Sequence, residues 1–202
     1  MTGPRIAGLK ADYAERVAGR RRLRPAHSPE RLAEIYATPH DHTQFPDHNL
    51  RVDATIALAN WMAGDGLGIA ADLSCGNGAV LSAISAELRI FGDLAPGYEY
   101  SGPLEKTIAQ IPLADMYVCC ETLEHLDNPD HALRLIRHKA RSLILSTPVD
   151  AWDDDNEEHY WAWSREGVEK MLTAAGFEVG VYSCIDFTPL GLPYNFGIWA
   201  AR

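Results

Sequence analysis

The sequence predicts an α/β fold in which a mainly parallel sheet carries helices on both faces. From residue 69 onward, short apolar runs alternate with segments whose apolar residues recur at helical spacing. The first run ends at an aspartate and passes through a glycine-bearing turn into a helix-like segment. Repeated over most of the chain, this alternation favours strand–helix–strand crossovers and hence parallel strands. The 202 residues suffice for one domain with a sizeable core. A hydrophobic content of 47% with 23% charged residues is ordinary globular composition and argues against a disordered chain. The net charge of −10 argues against a general nucleic-acid coat and against anionic membrane surfaces. No apolar run reaches membrane-spanning length and no signal-peptide pattern opens the chain, so a cytoplasmic location is expected. The four cysteines, Cys75, Cys119, Cys120 and Cys184, form no C-x-x-C pair, which favours free thiols over disulfides or zinc.

The elements follow in order. Residues 1–27 are polar and basic, with Arg20, Arg21, Arg22 and Arg24 clustered; a solvated helix or frayed tail is expected, the alternative being a phosphate contact. Ser28 and Pro29 supply an N-cap and a first-turn proline for a helix to about Tyr36. Residues 40–48 hold His40, Asp41, His42, Asp47 and His48, which suit a polar lid more readily than a metal site. A helix over 50–63 stops at Gly64.

Residues 69–80 read Ile-Ala-Ala-Asp72-Leu-Ser74-Cys75-Gly76-Asn-Gly78-Ala-Val, a strand, a tight turn and a helix whose apolar side is Val80, Leu81, Ile84 and Leu88. Glycines let a backbone approach a ligand closely, and a helix N-terminus offers free N–H groups. A second strand is expected over 89–92, ending at Asp93. That is 21 residues after Asp72, the offset at which an acid meets ribose hydroxyls in nucleotide-binding α/β folds. A carboxylate suits two neighbouring hydroxyls because it accepts from both. A short third strand is expected at 98–101 and a helix at 103–111. A fourth strand runs over 114–120 and a helix over 129–139. A fifth strand over 142–147 is stopped by Pro148, and an acidic, solvated loop covers 149–160. Ser164 caps a helix to Ala175, and the last two strands lie at 177–185 and 194–201.

Asp-x-x-Cys-Gly-x-Gly over 72–78, followed by Gly-Asp93-Leu94-Ala-Pro, resembles the cofactor motifs of class I S-adenosylmethionine (SAM)-dependent methyltransferases, with Ser74 in place of the usual first glycine. The resemblance covers about two-thirds of the chain. It implies a Rossmann-like seven-stranded sheet closed by an antiparallel hairpin, with residues 1–68 as an N-terminal helical cap and 69–202 as the SAM-binding domain. It further implies that Asp72, Ser74, Cys75, Gly76, Gly78, Asp93, Leu94, Leu104 and Cys120 surround SAM, with Asp93 on the ribose and Leu94 and Leu104 beside adenine. Arg51 or a loop histidine would meet the SAM carboxylate.

Glu121, Glu124 and His125 are spaced i, i+3, i+4, so on a helical turn they share one face just past the carboxyl end of a central strand. With His159 they form a donor set suited to Mg²⁺ or Mn²⁺. Glu-x-x-Glu-His, followed by Thr-Pro and His-x-x-x-Trp-Ser-Arg, resembles two metal-assisted O-methyltransferase groups, one acting on small-RNA 3′ ends and one on quinone precursors. An ion would acidify an acceptor hydroxyl and fix its oxygen. Alternatively, His125 or His159 serves as general base without metal, and Glu121 faces the SAM amine. The function expected is methyl transfer to an oxygen, or alternatively a nitrogen, of a small or medium-sized acceptor. RNA 2′-O-methylation and a non-catalytic SAM-binding module are the rivals. Nucleic acid is disfavoured as a partner, no membrane is expected, and a homodimer is compatible with the sequence.

Overall fold

The computed structural model describes residues 13–37, 42–45, 47–192 and 194–202. Strand β1 is Arg20–Arg22, helix α1 Pro29–Ile35, α2 His48–Ala63, β2 Leu67–Asp72, α3 Ala79–Ser82, β3 Ala86–Asp93 and β4 Tyr100–Ser101. Then come α4 Leu104–Thr107, β5 Ala114–Cys120, α5 Pro129–Lys139, β6 Ala140–Val149, β7 Trp161–Trp163, α6 Arg165–Ala175, β8 Val179–Asp186 and β9 Asn195–Ala201. Seven strands form one sheet in the order β4-β3-β2-β5-β6-β9-β8, all parallel except β9, which is antiparallel to both its neighbours.

The central strands are buried on both faces, and their period-two alternation divides the core. Ala71, Tyr117, Cys119, Leu143 and Leu145 pack against Leu133 and Ile136 of α5 and Val168 and Leu172 of α6. Their neighbours Ala70, Met116, Val118 and Ile144 face the other way, onto Ala59 and Ala63 of α2 and Leu81 and Ile84. Three helices, α1, α5 and α6, obey their caps: the Ser28, Asn128 and Ser164 side chains each accept a backbone N–H of the first turn, and Gly176 closes α6 in the left-handed conformation.

Four expectations are corrected. The helix after the glycine turn is a single turn, and Leu88 belongs to β3, where it is half-exposed. Parallel pairing of Leu67 with Ala86 starts that strand too early for a longer helix. Pro148 does not end β6. Pairing with β5 stops at Ser146, so beyond it the strand has one neighbour, and a missing N–H is tolerated. The basic N-terminal stretch is only in part the solvated helix or frayed tail expected: residues 13–18 are an exposed helix, but β1 pairs antiparallel with β7. Its arginines contact carboxylates, Arg20 with Asp130, Arg21 with Asp153 and Arg22 with Asp127, rather than standing open for phosphate. The helix expected at 103–111 divides into α4 and a 3-10 turn over Ile108–Gln110. All four cysteines are free thiols. Among the described residues, no helix is long and apolar enough to cross a membrane.

Candidate active site

The carboxyl ends of β2, β3, β5 and β6 open into a cleft of about 980 Å³. Such crevices are where open α/β sheets bind ligands. The glycine turn forms one wall. Asp72, 3% exposed, accepts the Ser74 backbone N–H at 2.9 Å, and Ser74 Oγ takes a hydrogen bond from Thr122 at 2.7 Å. The Tyr98 hydroxyl donates to the Gly76 carbonyl at 2.5 Å. Gly78 sits at φ +75° as the N-cap of α3, and a side chain there would meet Phe91 at 3.0 Å, so glycine is required by both backbone and space.

Asp93 ends β3 beside this turn. One carboxylate oxygen accepts the Gly76 N–H at 2.8 Å and the other the Ala95 N–H at 2.9 Å. Each oxygen keeps a lone pair for a ligand hydroxyl. Ser74, Cys75, Gly76, Leu94, Leu104 and Cys120 line the same cleft; Gly78 shapes it from behind. Burial pushes the Asp72 carboxyl up to about 7 and the Cys75 thiol up to about 12.

The Glu121–His125 segment departs from the helical face expected. Glu121 is at φ +51°, outside the 3-10 turn Leu123–His125 that carries the other two. That turn nevertheless brings Glu124 and His125 to His159, with one donor atom of each within 4.8 Å of the others. The His125 and His159 rings meet edge to face at 4.7 Å between centroids. Glu124 is 1% exposed; its Oε2 accepts from the Thr147 hydroxyl at 3.0 Å and its Oε1 has no hydrogen-bond partner among the described residues. Burial raises its pKa, against the pull of His159.

Glu121 instead pairs with Arg51 at 2.7 Å, and Arg51 also meets Asp47 at 2.6 Å. The Tyr194 hydroxyl donates to Asp47 at 2.9 Å. Burial pushes Glu121 up to about 8 despite Arg51. His48 opens α2 on the cleft wall; His40, Asp41, Pro46 and the His42 side chain lie outside the described residues.

Sequence reasoning passed over Thr122 and Tyr194, and read Asp47 only as part of a polar loop and Thr147 only as part of a Thr-Pro motif; their roles depend on contacts between elements far apart in the chain. It also read Asp154 as surface. Asp154 lies 2.6 Å from His159 Nδ1. For His159, burial would lower the pKa, but the Asp154 hydrogen bond and the charge of Glu124 outweigh it and raise it.

No family model and no curated protein matches the chain. Solved structures do match. The chain is similar to the Burkholderia thailandensis 1,6-didemethyltoxoflavin N1-methyltransferase, whose structure holds its substrate and S-adenosylhomocysteine: TM-score 0.66, 14% identity, 89% of this chain and 92% of that one. It is similar to the [4+2]-cyclase SpnF, with TM-score 0.66, 14% identity and 88% and 97% covered. It is also similar to magnesium protoporphyrin IX methyltransferase from Synechocystis with bound S-adenosylhomocysteine, with TM-score 0.58, 17% identity and 85% and 92% covered. The chain therefore has the class I methyltransferase fold. A fold shared by methyltransferases and a cyclase does not by itself define a reaction.

Proposed function

We infer that this chain is a SAM-dependent methyltransferase that acts on a hydroxyl of a small or medium-sized acceptor with the help of a divalent cation. One observation carries the reading. A single cleft is lined both by the glycine turn with Asp93 and by His125 and His159, whose donor atoms lie within 4.8 Å of a buried Glu124 oxygen.

The first half suits a nucleoside. Asp93 is held by two backbone N–H groups with lone pairs to spare for the 2′- and 3′-hydroxyls, and Leu94 and Leu104 offer apolar surface to adenine. When bound, SAM supplies an electrophilic methyl group on a sulfonium. Arg51 and Glu121 line the same cleft, where Arg51 would take the SAM carboxylate and Glu121 the amine.

The second half suits a divalent cation. Glu124 presents a buried carboxylate oxygen with no hydrogen bond among the described residues, a costly arrangement that a cation relieves. One carboxylate and two imidazoles suit a borderline ion such as Mn²⁺, Fe²⁺ or Zn²⁺ better than Mg²⁺, because nitrogen donors predominate. Such an ion supplies charge that lowers the pKa of an acceptor hydroxyl. The protein's own part is to hold the acceptor oxygen in line with the methyl group and to exclude water. A second reading is favoured by the Asp154–His159 hydrogen bond: the same imidazole serves as general base without an ion.

A small acceptor is favoured over RNA because the clustered arginines are engaged by Asp127, Asp130 and Asp153, while phosphate binding needs free positive charge. The test is transfer of labelled methyl from SAM to a panel of phenols, catechols and amines, with RNA as a separate arm, each with Mn²⁺ or chelator. Product on a small hydroxyl that needs Mn²⁺ supports the reading. Chelator-resistant transfer moves it to the general-base mechanism, and no transfer to any acceptor despite SAM binding leaves a binding module.

A further inference from the structure

The loop between β6 and β7 is strongly acidic, and most of its carboxylates face solvent. Asp154 is different: its side chain is 17% exposed and its Oδ2 lies 2.6 Å from Nδ1 of His159, itself 16% exposed. The other carboxylate oxygen accepts the Asn156 N–H at 2.8 Å, and the Arg24 guanidinium donates to the Asp154 carbonyl oxygen. The carboxylate is thus fixed by its own loop and by the N-terminal segment that continues from β1.

A neutral imidazole has two tautomers, and a hydrogen bond at one nitrogen decides which carries the proton. With Nδ1 committed to Asp154, Nε2 is the nitrogen left for the gap shared with Glu124 and His125. Glu124 is supported in the same manner. Its Oε2 is held by Thr147, whose hydroxyl oxygen accepts from Trp163 Nε1 at 3.2 Å. Two of the three donors are therefore oriented from behind by buried or half-buried partners.

We propose that Asp154 is the positioning residue of this centre: it accepts Nδ1–H of His159 and so turns the Nε2 lone pair toward Glu124 and His125. In this proposal Asp154 acts through His159. The inference rests on the donor set described under the proposed function, but it also fixes a property of the ring that needs no ion. Arg24 extends the arrangement, since its guanidinium holds the Asp154 loop through the Asp154 carbonyl oxygen.

The experiment compares wild type with Asp154→Ala, Asp154→Asn and His159→Ala, using two readouts. Nitrogen NMR of labelled histidine, at a pH above the raised His159 pKa, reports the tautomer. Calorimetry with Mn²⁺ alone reports affinity. The expected wild-type ring is Nδ1-protonated. Asp154→Ala mixes the tautomers and weakens Mn²⁺ by about 10–100-fold. Asp154→Asn restores neither, because its amide oxygen is held by the Asn156 N–H and its NH2 group then donates to His159 Nδ1, favouring the Nε2-protonated ring. Adding Asp154→Ala to His159→Ala weakens Mn²⁺ no further. If Asp154→Ala keeps the wild-type tautomer and affinity, the proposal is overturned. If wild type takes up no Mn²⁺, the cation reading fails, while the tautomer comparison still decides the role of Asp154. Should the alanine variant unfold, Asp154→Leu, similar in size but without an acceptor, carries the same expectation.

Discussion

Replacing Asp93 by alanine tests the sugar contact proposed for cofactor binding. The side chain is 9% exposed, and each carboxylate oxygen already accepts one backbone N–H, from Gly76 at 2.8 Å and Ala95 at 2.9 Å. Two further bonds to ribose hydroxyls are charge-assisted and worth about 1.5–3 kcal/mol each. Taking the lower end for a site open to water, their loss costs roughly 3 kcal/mol, or about a hundredfold in Kd. The variant also strands the Gly76 and Ala95 N–H groups, which loosens the turn, so affinity alone would not separate sugar recognition from turn shape. The assay is therefore calorimetry with S-adenosylhomocysteine and with its 2′-deoxy analogue. Wild type should prefer the ribose form by about tenfold or more, one charged hydrogen bond, and Asp93→Ala should lose both the affinity and the preference. A variant that melts like wild type and binds S-adenosylhomocysteine within about threefold of it, a difference near RT, would refute the assignment of Asp93 to the sugar.

Three further outcomes are expected. Gly167→Ala lies in α6, where alanine ordinarily stabilises by about 1 kcal/mol. Here the new Cβ would fall 1.7 Å from the Gly19 carbonyl oxygen, so the sign reverses and thermal unfolding should show a loss of about 1–3 kcal/mol, with β1 released from β7. Asp72→Asn tests the buried acid. Its folded pKa of about 7 lies above the unfolded value of about 3.9, so the folded chain keeps a proton that the unfolded chain releases between those limits. Wild-type stability relative to the variant should therefore rise as pH falls from 7 toward 4, and a pH-independent difference in urea midpoints would contradict this. Glu124→Gln keeps the Thr147 hydrogen bond but removes the charge, and should weaken Mn²⁺ in calorimetry by at least the roughly tenfold loss typical of an outer partner; unchanged affinity would remove Glu124 from the donor set.

What the sequence disclosed was governed by local rules. The glycine turn, the capped helices α5 and α6, and the continuous apolar strand β5 each declare themselves within a dozen residues, because a cap or an alternating face is a short-range requirement. The acid at Asp93 was legible from its spacing, since one crossover fixes that distance. Less was legible where a contact spans the chain. Arg20–Arg22 has no strand-like pattern and becomes a strand only because Trp161–Trp163 pairs with it. Arg51 and Glu121 are 70 residues apart, and their ion pair follows from the packing of α2 over the sheet ends rather than from any motif. The i, i+3, i+4 spacing of Glu121, Glu124 and His125 correctly grouped two of the three, but the left-handed backbone at Glu121 turns that residue away from the shared face. Asp154 was hidden among five other acidic residues of its loop, and only its approach to His159 distinguishes it.

The most direct measurement is a crystal structure of the chain grown with S-adenosylhomocysteine and Mn²⁺. The nucleoside should lie over the Ser74–Gly78 turn with its ribose hydroxyls on Asp93, and an anomalous peak for manganese should stand between Glu124, His125 and His159. A nucleoside bound anywhere else, or a cleft that excludes it at saturating ligand, would contradict the assignment of this fold to SAM chemistry.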